Sequence, residues 1–100
     1  MTEDQLDHAI RDLAGYTGWL VYHTHDSRHS PAGFPDLVLV RPPRLIFAEL
    51  KSTSGTLSAE QKTWLDQLAE CNVEVHVWRP EDWDRIVSCL NERGPRMVSV

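Results

Sequence analysis

A chain of 100 residues with 41% hydrophobic content is bounded to one globular domain, read as residues 1–94 with a tail at 95–100. A net charge of -5 argues against indiscriminate nucleic-acid binding, because phosphate contacts come from Lys and Arg. No apolar run approaches the roughly 20 residues of a membrane span. The acidic N-terminus lacks signal-peptide character, so the expectation is a cytosolic protein with no membrane contact.

Thr2-Glu3-Asp4-Gln5 fits a capping box opening a helix, with acids at the positive end of its dipole. Leu6, Ile10 and Leu13 continue at helical spacing, and Gly15 to Gly18 supplies the stop. Trp19 to His25 reads as a strand, followed by a polar loop from Asp26 to Ala32. His23 and His25 share one strand face, but neither a Cys pair nor a third His at matching spacing supports a zinc site there. Cys71 and Cys89 fall in predicted helices and read as reduced thiols.

The central stretch runs from Gly33 to Lys51. Two apolar runs, Leu37 to Val40 and Leu45 to Leu50, flank Arg41-Pro42-Pro43-Arg44 and predict a β-hairpin with a four-residue loop. If Val40 faces Leu45, then Val38 pairs with Phe47 and Asp36 with Glu49, and strand alternation puts Lys51 on the same face. Both faces of the hairpin are otherwise apolar, the pattern of a strand pair covered on both sides. Two like charges opposite each other in such a place are costly unless a cation is shared between them. Carboxylate oxygens, a backbone carbonyl and waters suit Mg²⁺ or Mn²⁺ better than Zn²⁺.

Beyond Lys51 lies a small-residue loop, Ser52 to Thr56, and then a second capping box at Ser58 to Gln61. The helix it opens runs to about Cys71 and turns Trp64, Leu65 and Leu68 inward. Gln61 shares that inward face. It either closes the capping box on Ser58 or points towards Lys51, where an amide can orient water or a phosphate. Val73 to Trp78 alternates as a strand, and Pro80, Glu81 and Asp82 open a last helix with a stripe of Trp83, Ile86, Val87 and Leu90. The resulting order, αβββαβα, gives an α/β fold: a mixed sheet with helices on both faces.

Pro35-Asp36, Glu49, Leu50 and Lys51 resemble the PD-(D/E)xK signature of the restriction-endonuclease-like nucleases. The Gly33–Val40 run, the Phe47–Ser52 run and the set Leu57, Ser58, Gln61 and Trp64 resemble more narrowly the VRR-NUC family, in particular its small stand-alone, phage-type members. The likeness extends from Thr2 to about Asp84. It implies a restriction-endonuclease-like sheet and a divalent-metal-dependent DNA endonuclease of a bacterial or phage-infected cell. Asp36, Glu49 and the backbone carbonyl of Leu50 would hold Mg²⁺ or Mn²⁺, with Glu3 as a further acid from the first helix. Lys51 and Gln61 would act with them. The resemblance also implies that His25, Ser27 and Arg28 face the substrate, and that the chain works as a homodimer on branched or structured DNA such as a four-way junction.

Charge distribution fits such a site. From Tyr22 to Ser52, Arg28, Arg41, Arg44 and Lys51 accompany Asp26, Asp36 and Glu49, and a cation would neutralise two of those acids. The alternative is a catalytically silent nucleic-acid-binding module of the same fold, against which Asp36, Glu49, Lys51 and Gln61 stand together. A small acidic protein-interaction domain, suggested by net charge, would bind no specific divalent cation.

Overall fold

The computed structural model describes residues 1–25 and 30–93. Helix α1 (Glu3–Tyr16) leads into strands β1 (Leu20–His23), β2 (Leu37–Arg41) and β3 (Arg44–Leu50). Helix α2 (Ala59–Ala69), strand β4 (Glu74–Trp78), a 3₁₀ turn (Pro80–Asp82) and helix α3 (Trp83–Asn91) follow. The expected order is therefore found. The expected tail, 95–100, lies outside the described residues, as do Ser27 and Arg28. No helix among the described residues is long and apolar enough to cross a membrane.

The four strands lie in the order β1-β2-β3-β4, antiparallel except for the parallel β3–β4 pair, which the α2 crossover makes possible. Val40 pairs with Leu45 and Val38 with Phe47, the register expected from alternation. The turn is tighter than expected, because Arg41 also pairs with Arg44 and leaves only Pro42-Pro43, joined by a cis peptide bond, between the strands.

Coverage of the two sheet faces is unequal, which corrects the doubly covered hairpin expected from sequence. On one face Leu37, Leu39, Ile46, Ala48 and Leu50 are buried beneath Leu6, Ile10 and Ala14 of α1 and Ile86 and Leu90 of α3. On the other face Val38, Val40, Leu45 and Phe47 are only half-buried. Helix α2 covers that face on the β4 side, where Phe34 packs edge-on against both Phe47 and Trp64. Towards β1 the face is open, and Leu20 and Tyr22 are 74% and 63% exposed.

At the turn end of the hairpin, Arg41 and Arg44 stack on Trp19, with guanidinium carbons 4.5 and 5.0 Å from its ring centre. Arg41 donates to the carbonyls of Thr17, Leu90 and Glu92, and Arg44 to those of Cys89 and Glu92. Both arginines thus satisfy the orphan carbonyls at the C-terminus of α3 and its negative dipole end. They do not add positive charge beside the acidic pair, as their place in the sequence suggests. Five strand steps, about 16 Å at 3.3 Å each, separate Arg41 from Asp36.

Candidate active site at the open end of the hairpin

Glu49, only 2% exposed, is the most deeply buried acid of the sheet. It lies on the α2 face, since Val77 is its β4 neighbour while Ala48 and Leu50 point into the core. Burial, and then the Asp36 carboxylate beside it, push the Glu49 carboxyl up to about 8, against the opposing pull of Lys51. Lys51 Nζ stands 3.5 Å from Glu49 Oε2, and Gln61 Nε2 donates to the same oxygen at 3.0 Å. Asp36 accepts the backbone N–H of Leu50 at 2.8 Å, which fixes one of its oxygens at the end of β3. Asp36, Glu49, Lys51 and Gln61 are thus brought together by chain segments that meet only in the fold.

Gln61 closes the capping box on Ser58, one of its two sequence alternatives, and also reaches Glu49, the neighbour of Lys51. Its Oε1 accepts the backbone N–H of Ser58 at 2.9 Å, while its own backbone N–H donates to Ser58 Oγ at 3.1 Å, completing the capping box. The other end of the same amide reaches Glu49. Helix α2 is held in this register by the segment before Asp36. Trp64 Nε1 donates to the Ala32 carbonyl at 3.1 Å. Gly33, at φ +96°, has no room for a Cβ, which would lie 2.5 Å from the Glu60 carbonyl carbon.

Leu50, at the end of β3, adjoins this group, whereas Glu3 and His25 stand apart from it. Glu3 is exposed in the first turn of α1, and no hydrogen bond or ion pair among the described residues joins it to Asp36 or Glu49. His25 lines a cleft of about 440 Å³ with Tyr22, Thr24, Ser30, Phe34 and Trp64, and its ring meets His23 edge-on at 5.1 Å. That cleft flanks the entry to Asp36, because Thr24 donates its backbone N–H to the Asp36 carbonyl and its hydroxyl to that of Pro35.

Two contributors escaped sequence reading. Arg79 Nη1 donates to the carbonyls of Ser52 and Gly55, both at 2.7 Å, and so ties down the loop that follows Lys51. Its signal was the parallel β3–β4 pairing, which sets residue 79 beside residue 51, but a parallel register cannot be read from either strand alone. Asp7 lies half-buried on α1, 3.6 Å from His23 Nε2, with Oδ1 buried and without a hydrogen-bond partner among the described residues. Nothing in the spacing of α1 distinguishes it from a solvent-facing acid.

Two carboxylates at one end of a sheet, one of them buried, with an amine and an amide on the same oxygen, form a donor set suited to a hard divalent cation. Glu49, whose carboxyl burial pushes up, is the acid from which such a cation would displace the proton. The family model described as VRR-NUC domain matches residues 2–82. A solved structure named "VRR_NUC domain protein" superposes with a TM-score of 0.66 at 18% identity, covering 90% of this chain and 85% of that one, and shows the same fold. No curated protein matches the chain.

Proposed function

The chain belongs to the VRR-NUC domain family of nuclease-like proteins, and from that premise we propose that it is a divalent-metal-dependent endonuclease hydrolysing phosphodiester bonds in branched or structured DNA. The observation that carries this reading is the Asp36–Glu49 pair, two carboxyl groups side by side with one of them buried, and Lys51 and Gln61 on the inner oxygen of the buried one. Such an arrangement costs stability, and a bound hard cation gives it a purpose.

Asp36, Glu49 and the Leu50 carbonyl are the groups that would hold Mg²⁺ or Mn²⁺. A cation there would activate water and offset charge developing on the phosphate. Lys51 contributes a fixed positive charge next to Glu49, where it steadies the phosphoryl oxygens as charge accumulates on them. Gln61 fixes the orientation of the Glu49 carboxylate and carries a second N–H with which to orient water or a phosphate oxygen. The family likeness supports His25, Ser27 and Arg28 as groups facing the nucleic acid, whereas Glu3, exposed in the first turn of α1 with no bond to Asp36 or Glu49 among the described residues, has that likeness alone in its favour as a further acid of the metal site. A homodimer follows from substrate symmetry, because a junction cut at two points requires two active sites, and a two-fold pair supplies them. The open apolar strip of Leu20 and Tyr22 supports such a pairing.

The test is cleavage of flaps, splayed arms, four-way junctions and plain duplex by wild type and Lys51→Ala, in Mg²⁺ or Mn²⁺, with EDTA as control. Wild type is expected to cut branched substrates only with metal, and Lys51→Ala to bind them but cut at least about 100-fold more slowly. Binding without metal-dependent cleavage by wild type would favour the silent-module alternative.

A further inference from the structure

On the other side of the sheet from Glu49, a second constellation has ligand chemistry of a different kind. Glu74 and His76 stand two residues apart on β4 and therefore share a face. They pair with Ile46 and Ala48, whose side chains point towards α1 and α3. Cys89 meets them from α3. His76 Nε2 lies 3.7 Å from Glu74 Oε1 and 4.0 Å from Cys89 Sγ, and one donor atom from each of the three lies within 4.8 Å of the others. Asp84, Ser88 and Glu92 line the same groove, which is open enough for water to supply a fourth ligand.

We propose that Glu74, His76 and Cys89 bind a borderline transition-metal dication of the Zn²⁺ type, at a site separate from the hard-cation site of the nuclease face. One thiol, one imidazole and one carboxylate are a zinc donor set and a poor one for Mg²⁺ or Mn²⁺. In a tetrahedral zinc site, neighbouring donor atoms are about 3.3–3.6 Å apart, so the two His76 distances need close by only about half an ångström. The His76 ring is already oriented by stacking on Trp78, 5.1 Å away and inclined by 21°.

Arg44 is the competitor. Its Nε and Nη2 fork the Glu74 carboxylate at 2.7 and 2.6 Å, and Nη2 also lies 3.3 Å from Cys89 Sγ. A forked carboxylate retains lone pairs, and an arginine in that position can serve as an outer partner that orients a ligating group. Arg44 holds the Glu74 carboxyl below its ordinary range, and burial holds the His76 imidazole below its own. The thiol is the group that must lose its proton and exchange Arg44 for the ion.

Co²⁺ is the probe, because a cobalt–thiolate bond has a near-ultraviolet charge-transfer absorption that carboxylate sites lack. Wild type, Asp36→Asn and Cys71→Ser are each expected to develop this absorption with one ion per chain, with Zn²⁺ abolishing it and excess Mg²⁺ leaving it unchanged. Cys89→Ser should lose it, and His76→Gln should bind at least tenfold more weakly, each variant being checked for folding by circular dichroism. The two substitutions lie on different elements, so misfolding of one leaves the other decisive. The site is refuted if wild type shows no thiolate absorption, as an Arg44-centred ion-pair cluster predicts, if Cys89→Ser retains it, or if Asp36→Asn abolishes it. No readout is cleavage, so failure here leaves the nuclease assignment untouched.

Discussion

Glu49 is where the chain carries a cost that the rest of the sheet avoids. Its carboxyl ordinarily titrates at 4.5 and in the fold at about 8, with burial as the main cause. Between those values the folded chain binds more proton than the unfolded one, so stability falls as pH rises from about 4.5 to about 8. In cation-free buffer the folding stability should decline over that range by on the order of a few kcal/mol, read as a falling thermal midpoint. Glu49→Gln should flatten the profile and raise the midpoint at its alkaline end. Adding Mn²⁺ should restore wild type there and leave the variant unmoved; parallel profiles for the two proteins would remove the basis for a cation at this acid. Gln61 permits a second separation. Gln61→Glu keeps the capping box on Ser58 but sets a carboxylate against Glu49. The expected result is retained helix content with cleavage reduced about 100-fold, read by circular dichroism and junction assays.

At the scale of elements, the site depends on the seating of α2, and the contact that seats it is the Gly33 backbone against Glu60 and Gln61. Both the positive φ and the absence of space exclude a side chain there. Gly33→Ala should therefore cost on the order of 2 kcal/mol or more and weaken cleavage together with stability, because the helix that shifts is the one carrying Gln61. Gly15→Ala is the matched control. Gly15 lies in α1 with nothing within 4 Å of an added Cβ, so that substitution should be neutral or stabilising by up to about 1 kcal/mol. Equal thermal midpoints for the two variants would show that the Gly33 contact does not hold α2.

For the whole molecule, the uneven covering of the sheet matters most. One face is closed by α1 and α3, whereas the β1 side of the other presents Leu20 and Tyr22 over the half-buried Val38 and Val40. A contiguous apolar strip on an edge strand is a natural contact between two copies of the chain. Sedimentation should show a dimer for wild type and a monomer for Leu20→Glu, with the Mn²⁺-dependent thermal shift preserved and paired incision of a four-way junction lost. A wild type that sediments as a monomer would remove the two-fold arrangement from the proposed mechanism.

The hairpin was legible because its information is local. Alternating Val, Leu and Ile residues, with a turn between them, set a register from neighbouring residues alone, and that register carried Asp36 to Glu49 with Lys51 one strand step beyond. The two capping boxes were legible for the same reason. What only the tertiary structure decided are contacts between residues far apart in the chain. Arg41 and Arg44 serve the carbonyls ending α3 rather than the acidic site; the amide of Gln61 reaches Glu49; Arg79 holds the loop after Lys51. Each of these depends on which elements pack together and at what angle. That choice is made by the burial of whole apolar faces, and no short stretch of sequence contains it.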